Sequence, residues 1–302
     1  TGSRLGQAVA VLDFDGDGTS DLAIAAPGVA GWAGQVYVCR GGARFSAPAS
    51  PPVVLQPSTD CELTISRSAP AFNMFGWAIG RADFDGDGAD DLVIGAPGSG
   101  GFLGEAFVLY GVKPLPGGVS TVVLPYDTVA PGAPFKAWQF VYPGAAAFSQ
   151  FGNYVFGFGK LEGSGDTNEE VAVAGFGVDV AYVYYGRAKP TSSAIAVAPG
   201  DANADVLSLS AGAGSSIGTA MAGLGDSDGD GFREIAVGSP VGAGSVYLVN
   251  GGGRGPLQVS TAALTRVPTV ISGVGGEKLG SFIANPARAQ LDGDLNADTL
   301  VD

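Results

Sequence analysis

Asp83-Phe-Asp-Gly-Asp-Gly-Ala-Asp-Asp91, running directly into Leu92-Val-Ile-Gly-Ala-Pro97-Gly98, decides the fold because it does not stand alone. Upstream the chain reads Asp13-Phe-Asp-Gly-Asp-Gly-Thr-Ser-Asp21 and then Leu22-Ala-Ile-Ala-Ala-Pro27-Gly28. Downstream it reads Asp226-Ser-Asp-Gly-Asp-Gly-Phe-Arg-Glu234 and then Ile235-Ala-Val-Gly-Ser-Pro240. An apolar residue and a glycine precede each acidic stretch: Leu5-Gly6, Phe75-Gly76 and Ile217-Gly218. A run of Val-Tyr-Val type follows each. A divergent copy opens at Phe151-Gly152, and another at Leu279-Gly280.

Fixed-period self-similarity is the signature of repeat architectures. Each unit reads as four short strands: one after the apolar-Gly pair, one before the Ala-Pro or Ser-Pro element, the Val-Tyr-Val run, and a later β-rich segment at 62–66, 138–142, 206–210 and 269–272. No segment holds a helical period, so helical solenoids are excluded. Abundant Gly (51 residues) and Pro (19) are scattered at turn-like positions, the texture of many short strands joined by tight turns. The expected fold is an all-β propeller of four-stranded antiparallel blades, since one blade cannot bury both faces and neighbours around an axis can. The blades fall at 1–74, 75–150, 151–215 and 216–278, with a fifth begun over 279–302.

These units resemble the FG-GAP repeats of integrin α-subunit propellers and their bacterial relatives. The name elements stand as Phe75-Gly76 with Gly95-Ala96-Pro97, Leu5-Gly6 with Ala25-Ala26-Pro27, and Ile217-Gly218 with Gly238-Ser239-Pro240. The third copy keeps Phe151-Gly152 but has Ala174-Gly175-Phe176 as its second element. The resemblance implies a calcium-binding, extracellular or cell-surface adhesion module, with a protein or glycan as partner. Seven blades are the family norm, so it also implies a ring completed by further blades or another chain. The partner face it implies is opposite the acidic loops, in the turns 28–34 with Trp32, 98–104 with Phe102, and 67–74.

The chemistry lies in Asp-x-Asp-Gly-Asp-Gly-x-x-Asp. Hard cations such as calcium take six to eight oxygens, largely carboxylates and carbonyls. Alternate side chains converge on one point if the backbone curls, and glycines permit the curl. The expected ligands are Asp13, Asp15, Asp17 and Asp21 with the carbonyl of Thr19. In the second copy they are Asp83, Asp85, Asp87 and Asp91 with Ala89, and in the fourth Asp226, Asp228, Asp230 and Glu234 with Phe232. Four carboxylates held within a few Å repel strongly without a counter-charge. Two further stretches keep the alternate spacing: Glu162, Ser164, Asp166, Asn168 and Glu170, and Gln290, Asp292, Asp294, Asn296 and Asp298. Each is either a weak site or a metal-free turn, so three to five calcium ions are expected.

Composition narrows the function. The net charge is −14, which argues against nucleic-acid binding; three divalent ions would bring it to −8. The absence of histidine excludes Ser-His-Asp and Cys-His catalysis and His-ligated zinc. Cys39 and Cys61 either form a disulfide, worth roughly 3 kcal/mol for a loop of about 20 residues, or stand as buried thiols. The extracellular character implied by the resemblance favours the disulfide. The uncharged stretch 137–159 is long enough to cross a bilayer but carries Pro143, Gln139, Gln150 and Asn153, so no transmembrane helix is expected. No acid–base pair is left once the metal loops are assigned, so the chain is expected to be non-catalytic. The alternatives are a structural subunit of a surface assembly, or an accessory domain of a carbohydrate- or lipid-active enzyme.

Overall fold

The computed structural model describes residues 2–42, 45, 54–68, 71–115, 120–124, 135–142, 148–161, 167–190, 194–197, 206–252, 255–258, 269–281 and 283, and the structural statements below concern these residues. The first repeat forms β1 (Val9–Leu12), β2 (Asp21–Ala26), β3 (Gln35–Cys39) and β4 (Leu63–Arg67). The second forms β5 (Ile79–Ala82), β6 (Asp91–Ala96), β7 (Glu105–Leu109), β8 (Ser120–Leu124) and β9 (Ala137–Val141). The third contains β10 (Phe151–Gly157), β11 (Val171–Gly175), β12 (Val180–Tyr184), β13 (Ala194–Val197) and β14 (Val206–Ser210). The fourth contains β15 (Met221–Gly225), β16 (Glu234–Ser239), β17 (Ser245–Val249), β18 (Gly255–Gln258) and β19 (Thr269–Ser272). The fold is nearly all β, and each helical turn is four residues long.

Each repeat is an antiparallel blade: β1-β2-β3-β4, β5-β6-β7-β9, β10-β11-β12-β14 and β15-β16-β17-β19. The second strand of a blade is buried on both faces when blades flank it on either side, which explains its near-continuous apolar sequence. β6 is buried at every residue. β2, of nearly the same composition, alternates between buried and half-buried residues over its first five positions, and Val9 and Val11 of β1 are exposed. Among the described residues, blade 1 is therefore packed against another blade on one side only.

Between blades lie three apolar clusters. Leu12, Val36, Ile65, Phe75, Ile94 and Phe107 fill the first junction. Phe84, Val108, Phe140, Phe151, Val173 and Tyr184 fill the second. Ala174, Val183, Leu209, Ile217, Met221 and Val237 fill the third. The apolar-Gly pair has a clear physical task here. Its apolar member (Phe75, Phe151 or Ile217) is fully buried in the junction with the preceding blade. The glycine N–H donates to the carbonyl of the second element: Gly6 to Ala25, Gly76 to Gly95 and Gly218 to Gly238, each at 2.9 Å. At Gly152, with φ of 85°, a Cβ would overlap the Glu105 carbonyl oxygen of the preceding blade.

Three strands were not foreseen in the sequence. β8, β13 and β18 lie in the connections between third and fourth strands of blades 2, 3 and 4. Each leaves its own blade and pairs in parallel with the outermost strand of the preceding one: β8 on β4, β13 on β9 and β18 on β14. Ser120–Leu124 and Ala194–Val197 carry β-branched residues suited to a strand, but a four-strand repeat leaves them no place in their own blade, and their partner edge lies in the preceding one.

Candidate metal centres

The acidic stretches 13–21, 83–91 and 226–234 each join the first strand of a blade to its second. They therefore share one end of the blades with the connections between third and fourth strands. In each, three carboxylates converge: Asp13, Asp15 and Asp17; Asp83, Asp85 and Asp87; Asp226, Asp228 and Asp230. Within each trio, one oxygen per residue lies within 4.8 Å of the others. The curl is held by the aspartates themselves. Asp13 accepts from the Asp17 and Gly18 N–H groups at 3.0 and 2.9 Å, and Asp226 from Gly229 and Gly231 at 2.8 and 3.0 Å. Asp83 accepts from Gly88 at 3.1 Å. The fifth-position aspartates accept from the residue two ahead: Asp17 from Thr19 at 2.7 Å, Asp87 from Ala89 at 2.9 Å and Asp230 from Phe232 at 2.8 Å.

The ninth position is engaged differently. Asp21 accepts from the N–H groups of Phe14 (3.0 Å) and Gly41 (2.7 Å), and Asp91 from those of Phe84 (2.8 Å) and Gly111 (2.7 Å). Glu234 accepts from the Ser227 N–H at 2.6 Å and from its hydroxyl at 2.7 Å. All three are buried at the start of the second strand. A carboxylate oxygen that accepts one hydrogen bond keeps a lone pair for a cation. Burial, with Asp15 close by, pushes the Asp21 carboxyl up to about 6 against the pull of its two N–H donors. Burial likewise raises Asp91 well above the usual carboxylate range, with Asp85 adding to it. Two buried carboxylate oxygens, Asp15 Oδ1 and Glu234 Oε1, accept no hydrogen bond among the described residues. All three clusters present a convergent, oxygen-only donor set, with such an oxygen in the first and fourth-blade loops, and each could hold a hard metal ion.

Protein cations reach two of the three loops. Arg40 Nε lies 2.7 Å from Asp15 Oδ2. Lys189, from the third blade, lies 2.8 Å from Asp87 Oδ2 and 3.5 Å from Asp85 Oδ2, while Lys113 lies 3.3 Å from Asp87 Oδ1 and donates to its carbonyl. The fourth loop has no Lys or Arg ion pair among the described residues. None of these cations was evident from the sequence, because each comes from a connection distant in the chain.

Also missed was the eighth loop position. Asp90 accepts from the Asp13 N–H of the preceding blade at 2.9 Å, and its own N–H donates to the Asp13 carbonyl at 2.8 Å. Glu169 and Asp83 repeat the pair at 2.9 and 2.8 Å. The consecutive acids Asp90-Asp91 and Glu169-Glu170 were the available signal. The residue after each first position also binds the next blade: the carbonyls of Phe14, Phe84 and Leu161 accept from Val112, Arg187 and Gly252.

That last equivalence locates the divergent third loop. Leu161 takes the place of Phe14, and its N–H donates to Glu170 at 2.6 Å as Phe14 donates to Asp21. Lys160 therefore stands where Asp13 stands, and the loop is two residues longer. Asn168 is half-buried and Glu170 fully buried, whereas Glu162, Ser164 and Asp166 lie outside the described residues, as do Gln290, Asp292, Asp294, Asn296 and Asp298. Cys39 and Cys61 form a disulfide, buried beside Tyr37 and Ala26.

At the opposite end of the blades sit the turns that carry Trp32 and Phe102. Both are half-buried and hold backbone φ of 70°. Trp32 lies beneath the Arg4 guanidinium, 4.7 Å from the ring centroid, and Phe102 stacks on Phe148 with centroids 5.8 Å apart. More exposed than either are Phe72 (59%), Phe148 (63%) and Phe176 (63%).

The FG-GAP repeat family matches residues 5–39 and 75–109, the first three strands of blades 1 and 2 with their acidic loops. The chain is similar to phosphatidylinositol-glycan-specific phospholipase D of Rattus norvegicus, 42% identical over 98 residues, covering 31% of this chain and 10% of the relative. The Bos taurus enzyme is 40% identical over 99 residues, with the same coverage. Integrin alpha-4 of Xenopus laevis is 33% identical over 115 residues, covering 37% of this chain and 10% of the relative. The matched region spans about a tenth of the length of these relatives. The chain thus carries FG-GAP repeats in an integrin-like, propeller-type succession of blades.

Proposed function

We propose, with the FG-GAP repeats as premise, that this chain is a calcium-stabilised extracellular module that recognises a protein or glycan partner and is not itself catalytic. Calcium would be held by Asp13, Asp15, Asp17 and Asp21 with the Thr19 carbonyl, and by the corresponding residues 83–91 and 226–234. It would cancel the mutual repulsion of the carboxylates and tie first strand to second, so that binding energy becomes folding energy. The buried disulfide supports an oxidising compartment. No helix among the described residues is long and apolar enough to cross a membrane.

The observation that carries the recognition reading is the row of exposed aromatic residues at the end opposite the metal loops. Phe72 and Phe148 come from the connections that lead into blades 2 and 3, and Phe176 from the turn between β11 and β12, where the neighbouring Gly177 N–H donates to the Ser149 carbonyl. Phe72 and Phe148 hold φ of 73° and 63°, a backbone region unfavourable for bulky residues and retained where the surroundings impose it. Exposed apolar side chains grouped on rigid loop tips favour contact with a partner. A second reading, an accessory module of a lipid- or glycan-active enzyme, is supported by the similarity to the phospholipase; the same row would then present that enzyme's substrate or its catalytic domain.

The test is capture of the full chain, with calcium and with chelator, on arrays of glycans and extracellular matrix proteins. The expected result is calcium-dependent capture that is lost in the triple variant Phe72→Ser, Phe148→Ser, Phe176→Ser while melting temperature is retained. Undiminished capture by that variant, or no capture on either array, would reject the aromatic end as the recognition face.

A further inference from the structure

The parallel strands between blades share one register. Val36 of β3 pairs with Ile65 of β4, and Ile65 faces Val122 of β8. Ala106 pairs with Phe140, and Phe140 faces Val197. Ala181 pairs with Leu209, and Leu209 faces Leu257. In the fourth blade Val246 pairs with Ile271 of β19, and no strand faces Ile271 among the described residues. Ile65, Phe140 and Leu209 are fully buried, whereas Ile271 is 49% exposed and all of β19 is exposed.

Free edges are ordinarily blunted by a charge, a proline or a bulge. β19 reads Thr269-Val-Ile-Ser272 and has none of these. Beside it the next blade is already begun: Leu279 bridges Gly244 in parallel, as Phe151, which opens blade 3, bridges Gly104. The three observed occupants, Ser120–Leu124, Ala194–Val197 and Gly255–Gln258, contain no charged residue. That fits an edge next to an apolar junction, where an unpaired charge would be costly to bury.

We propose that the outer edge of β19 is a strand-docking site for a short, uncharged, extended segment running parallel to it, with Val or Leu opposite Ile271. Its source is the connection between third and fourth strands of the blade that Leu279-Gly280 opens. Each blade is thereby sealed by the blade that follows it. The inference rests on strand register alone and stands independently of the metal and recognition readings.

The test appends residues 118–124, the β8 strand with two preceding residues, to the full chain through a flexible Gly-Ser linker, which raises the local strand concentration to about the millimolar range. Amide hydrogen exchange is then read at residues 269–272. The expected result is exchange slowed about tenfold or more in β19, unchanged exchange in β4, and loss of the effect when the appended copy carries Val122→Lys. Unchanged exchange in β19, or equal protection by the Val and Lys versions, overturns the proposal. So does protection of β19 in the unmodified chain that rises with protein concentration alongside a sedimenting dimer, because the occupant would then be a second copy.

Discussion

Asp90 of the second blade holds Asp13 of the first: its carboxylate accepts the Asp13 N–H at 2.9 Å, and its N–H donates to the Asp13 carbonyl at 2.8 Å. The same carboxylate meets Arg81 at 2.8 Å. The first acidic loop is thus clamped by the residue adjacent to Asp91, in the second acidic loop. Asp90→Ala should destabilise the fold by about 1–3 kcal/mol, since it leaves a partly buried N–H and a guanidinium without their acceptor. Asp90→Asn should recover part of that. Denaturant unfolding of the three proteins measures both, and equal stability of Asp90→Ala and the parent would remove the clamp from consideration.

Calcium should raise the melting temperature, and chelator should reverse the rise. Ion counting on the folded protein is expected to return at least three. Stabilisation by a ligand bound only to the native state grows with ligand concentration, so the shift should increase across a calcium titration. A flat titration would make the acidic stretches plain turns.

Lys189 contacts Asp85 and Asp87 in the second loop, and the hydrogen bond and ion pairs there raise its own proton affinity against the opposing effect of burial. A tethered ammonium at these carboxylates competes with an added cation. Lys189→Met should therefore tighten calcium binding at one of the sites, by several-fold in a calorimetric titration. Weaker binding in this variant would show the lysine supporting the loop geometry instead.

Gly152→Ala should be severely destabilising, because the new Cβ overlaps the Glu105 carbonyl in addition to the strained positive φ. Gly101→Ala is the control. It also has positive φ, 72°, but no atom lies near its Cβ, so only the backbone strain of about 1–2 kcal/mol is expected. Comparable losses for the two would mean that contact between blades adds nothing at Gly152.

Reducing the Cys39–Cys61 disulfide should cost about 3 kcal/mol through the freed connection between β3 and β4. Melting with and without reductant checks this, and the Cys39→Ala, Cys61→Ala double variant should match the reduced protein.

The repeat, the blade strands and the three converging aspartate trios were legible in the sequence because each depends on local spacing. A glycine at the fourth and sixth loop positions and an aspartate at every second residue act over one turn of chain, and the strand patterns act over five or six residues. Whatever joins one blade to the next was not legible. Asp90 and Glu169 find their partners 77 and 86 residues away. Lys189 reaches Asp87 from 102 residues away, and β8, β13 and β18 pair with an edge that a different repeat offers. Alternating spacing also suggested Glu162 for the first position of the third loop, while the contacts of Leu161 with Glu170 and Gly252 put Lys160 there. Local periodicity records what a residue's own strand and turn demand. The pairing of an edge, a carboxylate or a lysine with another blade is set by three-dimensional packing, which leaves no period in the chain.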